Sequence, residues 1–247
     1  MPRKILIDGD IVAYQHAAKA ETPTHWGDDL WTLHADAKEC RGHIEHWLKE
    51  LQSKLDGSEV TIYLSSSDNF RKELVDSSYK ANRAGKRKPV ILKAIREWMV
   101  EELDARSVPS LEADDAIGIE ATKKENEGCI IASIDKDFGT VPGSHFNWSK
   151  DIGVTSVDEE EADYNFYLQV LTGDATDGYA GCPGIGPKRA ERLLEDADDY
   201  WSAVVGAYEK AGFGPEYALT QARLARILRA TDYNHDQQEV ILWNPPQ

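Results

Sequence analysis

Three acidic residues, Glu112, Asp114 and Asp115, crowd into "SLEADDAIG" (110–118), directly before an apolar helical pattern. Two carboxylates about 4 Å apart repel by about 4 kcal/mol at an effective dielectric near 20. A helix start needs one such residue as a cap, not three. The stretch is therefore either an over-acidic solvated helix N-terminus or part of a cation site. More acids recur in short groups: Asp8 and Asp10 in "LIDGD", Asp135 and Asp137 in "SIDKDF", Asp174 and Asp177 in "LTGDATDGYAGCPGIGPK". Hard oxygen ligands without His or Cys select magnesium or manganese rather than zinc.

The elements around these groups decide whether they meet. "KILID" (4–8), "EVTIYLS" (59–65) and "GCIIASI" (128–134) read as buried strands, with weaker strands near 105–108, 144–148 and 152–155. Helical patterns cover 34–54, 90–103 and 114–126. Alternation of this kind predicts an α/β fold, a mostly parallel central sheet flanked by helices. In such sheets ligands bind beyond the carboxyl ends of the strands. Asp8, Asp135 and the 112–115 group are thus expected at one sheet edge. After about residue 158 the pattern is wholly helical, which divides the chain into a core at 1–157 and a helical region at 158–247.

The formal net charge is −16, against a uniformly basic nucleic-acid-coating surface, yet "RKELVDSSYKANRAGKRK" (71–88) concentrates seven basic residues against two acidic ones. Such a segment is either a solvated loop or a polyanion grip. In "GCPGIGPK", Gly184 and Gly186 precede a helix beginning near Pro187, whose first amides suit a phosphate. With Lys188, Arg189 and Arg192 this reads either as a helix-hairpin-helix-like hold on a DNA backbone or as an ordinary helix–helix turn. Three dispersed cysteines form no disulfide framework or zinc pattern, and no apolar run approaches the length of a membrane span. A reducing cytoplasmic setting is the expectation.

In order along the chain, "IDGDIVAYQ", "NFRKELVDSSYKANRAGKRKP", "LEADDAIG", "SIDKDFGTVP" and "GDATDGYAGCPGIGPK" resemble the flap-endonuclease, or 5′-nuclease, family, most like the 5′→3′ exonucleases of T-odd podovirus-type phages. The resemblance implies a PIN-like nuclease core, a C-terminal helix-three-turn-helix unit, and a monomer acting on duplex DNA 5′ ends, flaps or RNA–DNA hybrids. It implies two Mg2+ ions, with Mn2+ able to substitute, and leaves room for K+ at the helix-three-turn-helix turn. Asp8, Glu112 and Asp114 would serve one metal; Asp115, Asp135, Asp137, Asp174 and Asp177 would serve the second or lie between the two. Catalytic weight would fall on Lys80, Arg83, Asp114 and Asp135. Tyr79 matches the family's stacking aromatic, Lys80 and Arg83 its basic pair at the scissile phosphate. Lys86, Arg87, Gly184, Gly186, Lys188 and Arg189 would join them on DNA. If the chain is phage-encoded, the host cytoplasm is its place of action.

One departure concerns the second strand's end, where the family usually has an acid. "YLSSSDNF" puts Ser66 there and Asp68 two residues later. Asp68 is expected either to take the role through a shifted loop or to leave the site one acid short. Two rivals stand beside the exonuclease reading: a structure-specific flap endonuclease with little exonuclease activity, and a non-catalytic DNA-binding homologue, which Ser66 makes conceivable.

Overall fold

The computed structural model describes residues 3–150 and 152–246. Five strands form one sheet in the order β4-β1-β5-β6-β7: β1 (Arg3–Asp8), β4 (Gly57–Tyr63), β5 (Ile130–Ala132), β6 (Gly143–Phe146) and β7 (Val154–Val157). All neighbours run parallel except β6 and β7. The α/β reading and the mostly parallel sheet hold. Central β1 carries Ile5, Leu6 and Ile7, fully buried, because helices cover both sheet faces and leave neither for polar side chains. α1 (Gly9–Lys19), α2 (Ala37–Lys54) and α3 (Leu92–Leu103) bury Val12, Ile44 and Met99 in the core shared with β1. α4 (Ala113–Ala121) packs Ile117 with Leu6 and Ile131.

The path from β1 to β4 leads to one side of the sheet, and that to β5 leads to the other. A crevice opens at such a reversal, outside the carboxyl ends of the strands. Asp8 ends β1 at this point and also caps α1, accepting from the Ile11 amide at 3.2 Å. Gly9 is required beside it. A Cβ there would stand 2.6 Å from the Tyr63 carbonyl oxygen.

Three expectations shift. Near 105–108 there is only a bridge between Arg106 and Tyr63. Pro109, which has no N–H, follows too closely for a longer ladder. The helix expected over 114–126 ends at Ala121, where the Thr122 hydroxyl donates back to the Gly118 carbonyl at 2.8 Å. An exposed hairpin of β2 (Thr22–His25) and β3 (Trp31–His34), which the sequence reading lacked, follows α1.

Beyond the sheet, α5 (Glu159–Thr172), α6 (Pro187–Glu195), α7 (Tyr200–Lys210) and α8 (Pro215–Ala225) enclose a second core around Phe166, Val170 and Tyr208. Among the described residues no helix is long and apolar enough to cross a membrane.

Candidate metal and nucleic-acid site

Asp8, Asp114 and Asp135 come from β1, from the first turn of α4 and from the residue that caps the turn after β5. Ser133 donates to Asp8 Oδ2 at 2.9 Å and also accepts from the Asp135 amide at 3.1 Å, tying the two strand ends together. Burial pushes the Asp8 carboxyl up to about 6, with Asp135 adding to the effect. Asp114 is pushed well above the usual carboxylate range by burial and then by Asp8 and Glu112. Asp137 is raised to about 6, again by burial first and by Asp135 second.

A second group forms where the basic segment meets the 174–180 loop. Gly173 and Gly181, with φ near +68° and +66°, pinch the loop's base so tightly that a Cβ on either would meet the other side's backbone within 2.5 Å. The segment 79–83 lies over this loop. The Lys80 amide donates to the Asp177 carbonyl at 2.9 Å, and Asn82 Nδ2 donates to the carbonyls of Ala175 and Thr176 at 2.7 and 3.2 Å. Arg83 pairs with Asp177. The Lys80 ammonium stands between Glu112 (2.5 Å) and Asp177 (3.3 Å). Lys136 stands between Asp137 (3.9 Å) and Asp174 (3.4 Å). Burial alone would raise Glu112, but Arg71 and Lys80 bring it down to about 2. Asp174 also settles below its ordinary value: the Thr176 amide and Lys136 outweigh its burial.

Among the described residues no three Asp, Glu, His or Cys side chains converge as a ready-made metal site. Carboxylates repel without a cation, and here ammonium groups fill the space between them. The donor set still fits a hard divalent ion: it is all oxygen, two of its members are raised to about 6 by burial and by the neighbouring Asp135, and lysines already stand in as cations.

The raised pair has a consequence for stability. A carboxyl whose folded pKa lies above its unfolded value binds more protons when folded, so stability falls as pH rises through that interval. For Asp8 and Asp137 the window is from about 4 to about 6. Without divalent ions the protein should gain on the order of 2 kcal/mol on going from pH 7 to pH 5. Added magnesium should shrink the gain. Chemical denaturation at the two pH values measures it; a loss of stability toward pH 5 would contradict the site's electrostatics.

Four expected site residues are placed differently. Asp115 is fully buried and forms a two-pronged ion pair with Arg71 at 2.6 and 2.8 Å, while accepting from the Leu228 amide at 3.1 Å. One step along α4 turns a side chain by about 100°, so Asp115 faces the core while Asp114 lies toward Asp8 and Glu112. Tyr79 is only 3% exposed, in the second core, with its ring between the cations of Arg71 and Lys80; it offers no stacking face. Arg87 is held by Glu21 at 2.7 Å, beyond the end of α1. Asp68 is exposed in a turn whose contacts are local: its amide donates to Ser66 Oγ and its carboxylate accepts from Ser67. Asp10, a substitute acid by position, is bound by Arg96 and the Ser65 amide. Asp68→Ala should therefore leave the magnesium requirement within about twofold of the parent, as exposed substitutions do. A marked rise in that requirement would return Asp68 to the site.

Gly184, Gly186, Lys188 and Arg189 are exposed at the start of α6, where Pro187 takes the first helical position after Gly186. Lys86 is exposed as well. Arg71, Ser133, Asn82 and Lys136 are the participants that the sequence did not reveal as such. Of these only Lys136, between two aspartates, carries a local signal.

A mostly parallel sheet whose switch point gathers carboxylates beneath a basic segment carries the oxygen donors and the cations that metal-assisted cleavage of a phosphodiester would use. Known proteins agree. The chain is 30% identical to the exodeoxyribonuclease of Enterobacteria phage T3 over 281 residues, covering 98% of this chain and 92% of that protein. It is 31% identical to the exonuclease of Escherichia phage T7, with 98% and 93% covered. A crystal structure of the phage T5 flap endonuclease in a pseudo-enzyme–product complex with DNA and metal ions shares the fold, with a TM-score of 0.67 at 14% identity over 93% of this chain and 90% of that one. No family model matches. The chain belongs to the 5′-nuclease family, with the phage exonucleases. It is a hydrolytic nuclease of the 5′→3′ exonuclease and flap-nuclease type.

Proposed function

We propose that the protein degrades duplex DNA from 5′ ends and cuts 5′ flaps, using two Mg2+ ions, in phage replication or primer removal in the host cytoplasm. The observation that supports this most is the meeting, at one switch point, of buried under-neutralised carboxylates with the basic segment 79–83. Asp8, Glu112, Asp114 and Asp135 would hold one ion, and Asp137, Asp174 and Asp177 the other. When bound, such ions activate a water as nucleophile and stabilise charge on the leaving oxygen.

The chain's own residues supply the remainder. Lys80 and Arg83, paired here with Glu112 and Asp177, would supply positive charge to a phosphate held beside those carboxylates. Lys86 is free on the surface nearby to extend the backbone contact. The turn from α5 into α6 is read as the helix-three-turn-helix unit: amides after Gly184 and Gly186, with Lys188 and Arg189, grip a phosphate one step along the duplex, and K+ has a place at this turn. On this reading residues 1–157 cut and residues 158–247 hold, and the protein acts as a monomer. RNA–DNA hybrids fall within the same backbone-directed recognition. The test is digestion of 5′-labelled duplex and flapped DNA with magnesium. Labelled mononucleotides from the duplex support the exonuclease, labelled oligonucleotides from the flap alone favour a flap endonuclease, and uncut DNA would contradict both.

A further inference from the structure

Tyr79 was expected at a DNA base, yet its ring is buried and its hydroxyl points into the acidic site. The hydroxyl oxygen lies 3.1 Å from Glu112 Oε2 and 3.0 Å from Asp177 Oδ2. These carboxylates belong to different parts of the fold: Glu112 caps α4 against the sheet, and Asp177 sits in the loop between α5 and α6. The phenolic O–H has one proton to donate, shared between these two carboxylate oxygens. Its ring is fixed by packing in the second core, so the hydroxyl is a stationary point between two loops. Lys80 touches the same two acids, but through a flexible stem and from a left-handed backbone position with φ near +55°.

We propose that Tyr79 is a positioning residue: its hydroxyl bridges Glu112 and Asp177 and sets the spacing at which these carboxylates receive divalent cations. The proposal rests on the two-ion reading above. Hydrogen-bond donors behind metal-binding side chains typically account for about 10–100-fold in metal affinity. The bridge therefore assigns the Tyr79 hydroxyl, not its ring, to metal affinity.

Phenylalanine separates the two roles, since Tyr79→Phe keeps the ring and removes the hydroxyl. Binding of Mn2+ to the full chain without DNA is measured for the parent, Tyr79→Phe, Glu112→Gln and the double variant, beside their thermal midpoints and DNA affinities. The expected result for Tyr79→Phe is an unchanged midpoint, DNA affinity near the parent's without metal, and Mn2+ affinity lower by about tenfold. The double variant should lose less Mn2+ affinity than the sum of the two single losses, because part of the hydroxyl's effect runs through Glu112 and part through Asp177. A Tyr79→Phe protein with parental Mn2+ affinity would overturn the proposal, as would losses that simply add. If the parent itself takes up no Mn2+, the two-ion reading fails first and the bridge with it.

Discussion

Asp114→Asn should lower DNA cleavage by about a thousandfold or more, because it removes a carboxylate beside Asp8 and Glu112 from the ion-holding set. The same change should leave the metal-free protein as stable as the parent or more so. Asp114 is repelled by Asp8 and Glu112, and its burial favours the uncharged form. A neutral amide of the same shape removes that repulsion without opening a cavity. Single-turnover cleavage at saturating magnesium, beside a thermal melt in chelator, reads both effects. Loss of activity accompanied by a lower melting temperature would indicate a structural residue. Near-normal turnover would remove Asp114 from the reaction.

The largest effect on stability should come from Arg71→Met. Arg71 is 3% exposed and its guanidinium contacts six residues: both oxygens of Asp115, Glu112, the carbonyls of Leu224 and Arg226, and the rings of Phe70 and Tyr79. It joins the end of α8 and the chain beyond it to the start of α4. Truncating it strands the buried Asp115 charge, which should cost about 3–5 kcal/mol. Arg71→Met/Asp115→Asn should recover part of that loss, because the uncompensated charge is gone. Urea unfolding of the single and double variants measures this. A single-variant loss under about 1 kcal/mol, or no recovery in the double, would mean that the pair does not join these segments.

Local pattern made much of this architecture legible. Apolar runs at 4–8 and 128–134 marked the two central strands, and their closing aspartates pointed to one sheet edge. The side chains' partners were less legible. "DD" at 114–115 reads as two equal acids, and only the helical rotation and the distant Arg71 separate a site residue from a core one. Arg71 itself looks like one more charge in a basic run; its partners lie 44 and 153 residues away, beyond any local signal. Tyr79 followed the motif, but burial in the second core turned its hydroxyl rather than its face toward the site. Asp68 is suggested by its place two residues after the position of the family's acid, but a local turn of serines holds it outward. The hairpin at 22–34 was missed because its strands are exposed on both sides and lack the apolar alternation that marks a half-buried strand.

On the proposed function, the carboxylates at the switch point bind two divalent ions that the reaction needs. Counting Mn2+ bound per chain by electron paramagnetic resonance, in parallel with cleavage of a 5′-labelled duplex across the same titration, tests it most directly. Two ions bound, with cleavage rising as the second enters and with fewer bound by Asp114→Asn, is the predicted result. Full cleavage in chelator, or cleavage that saturates with no ion bound at these residues, would contradict it.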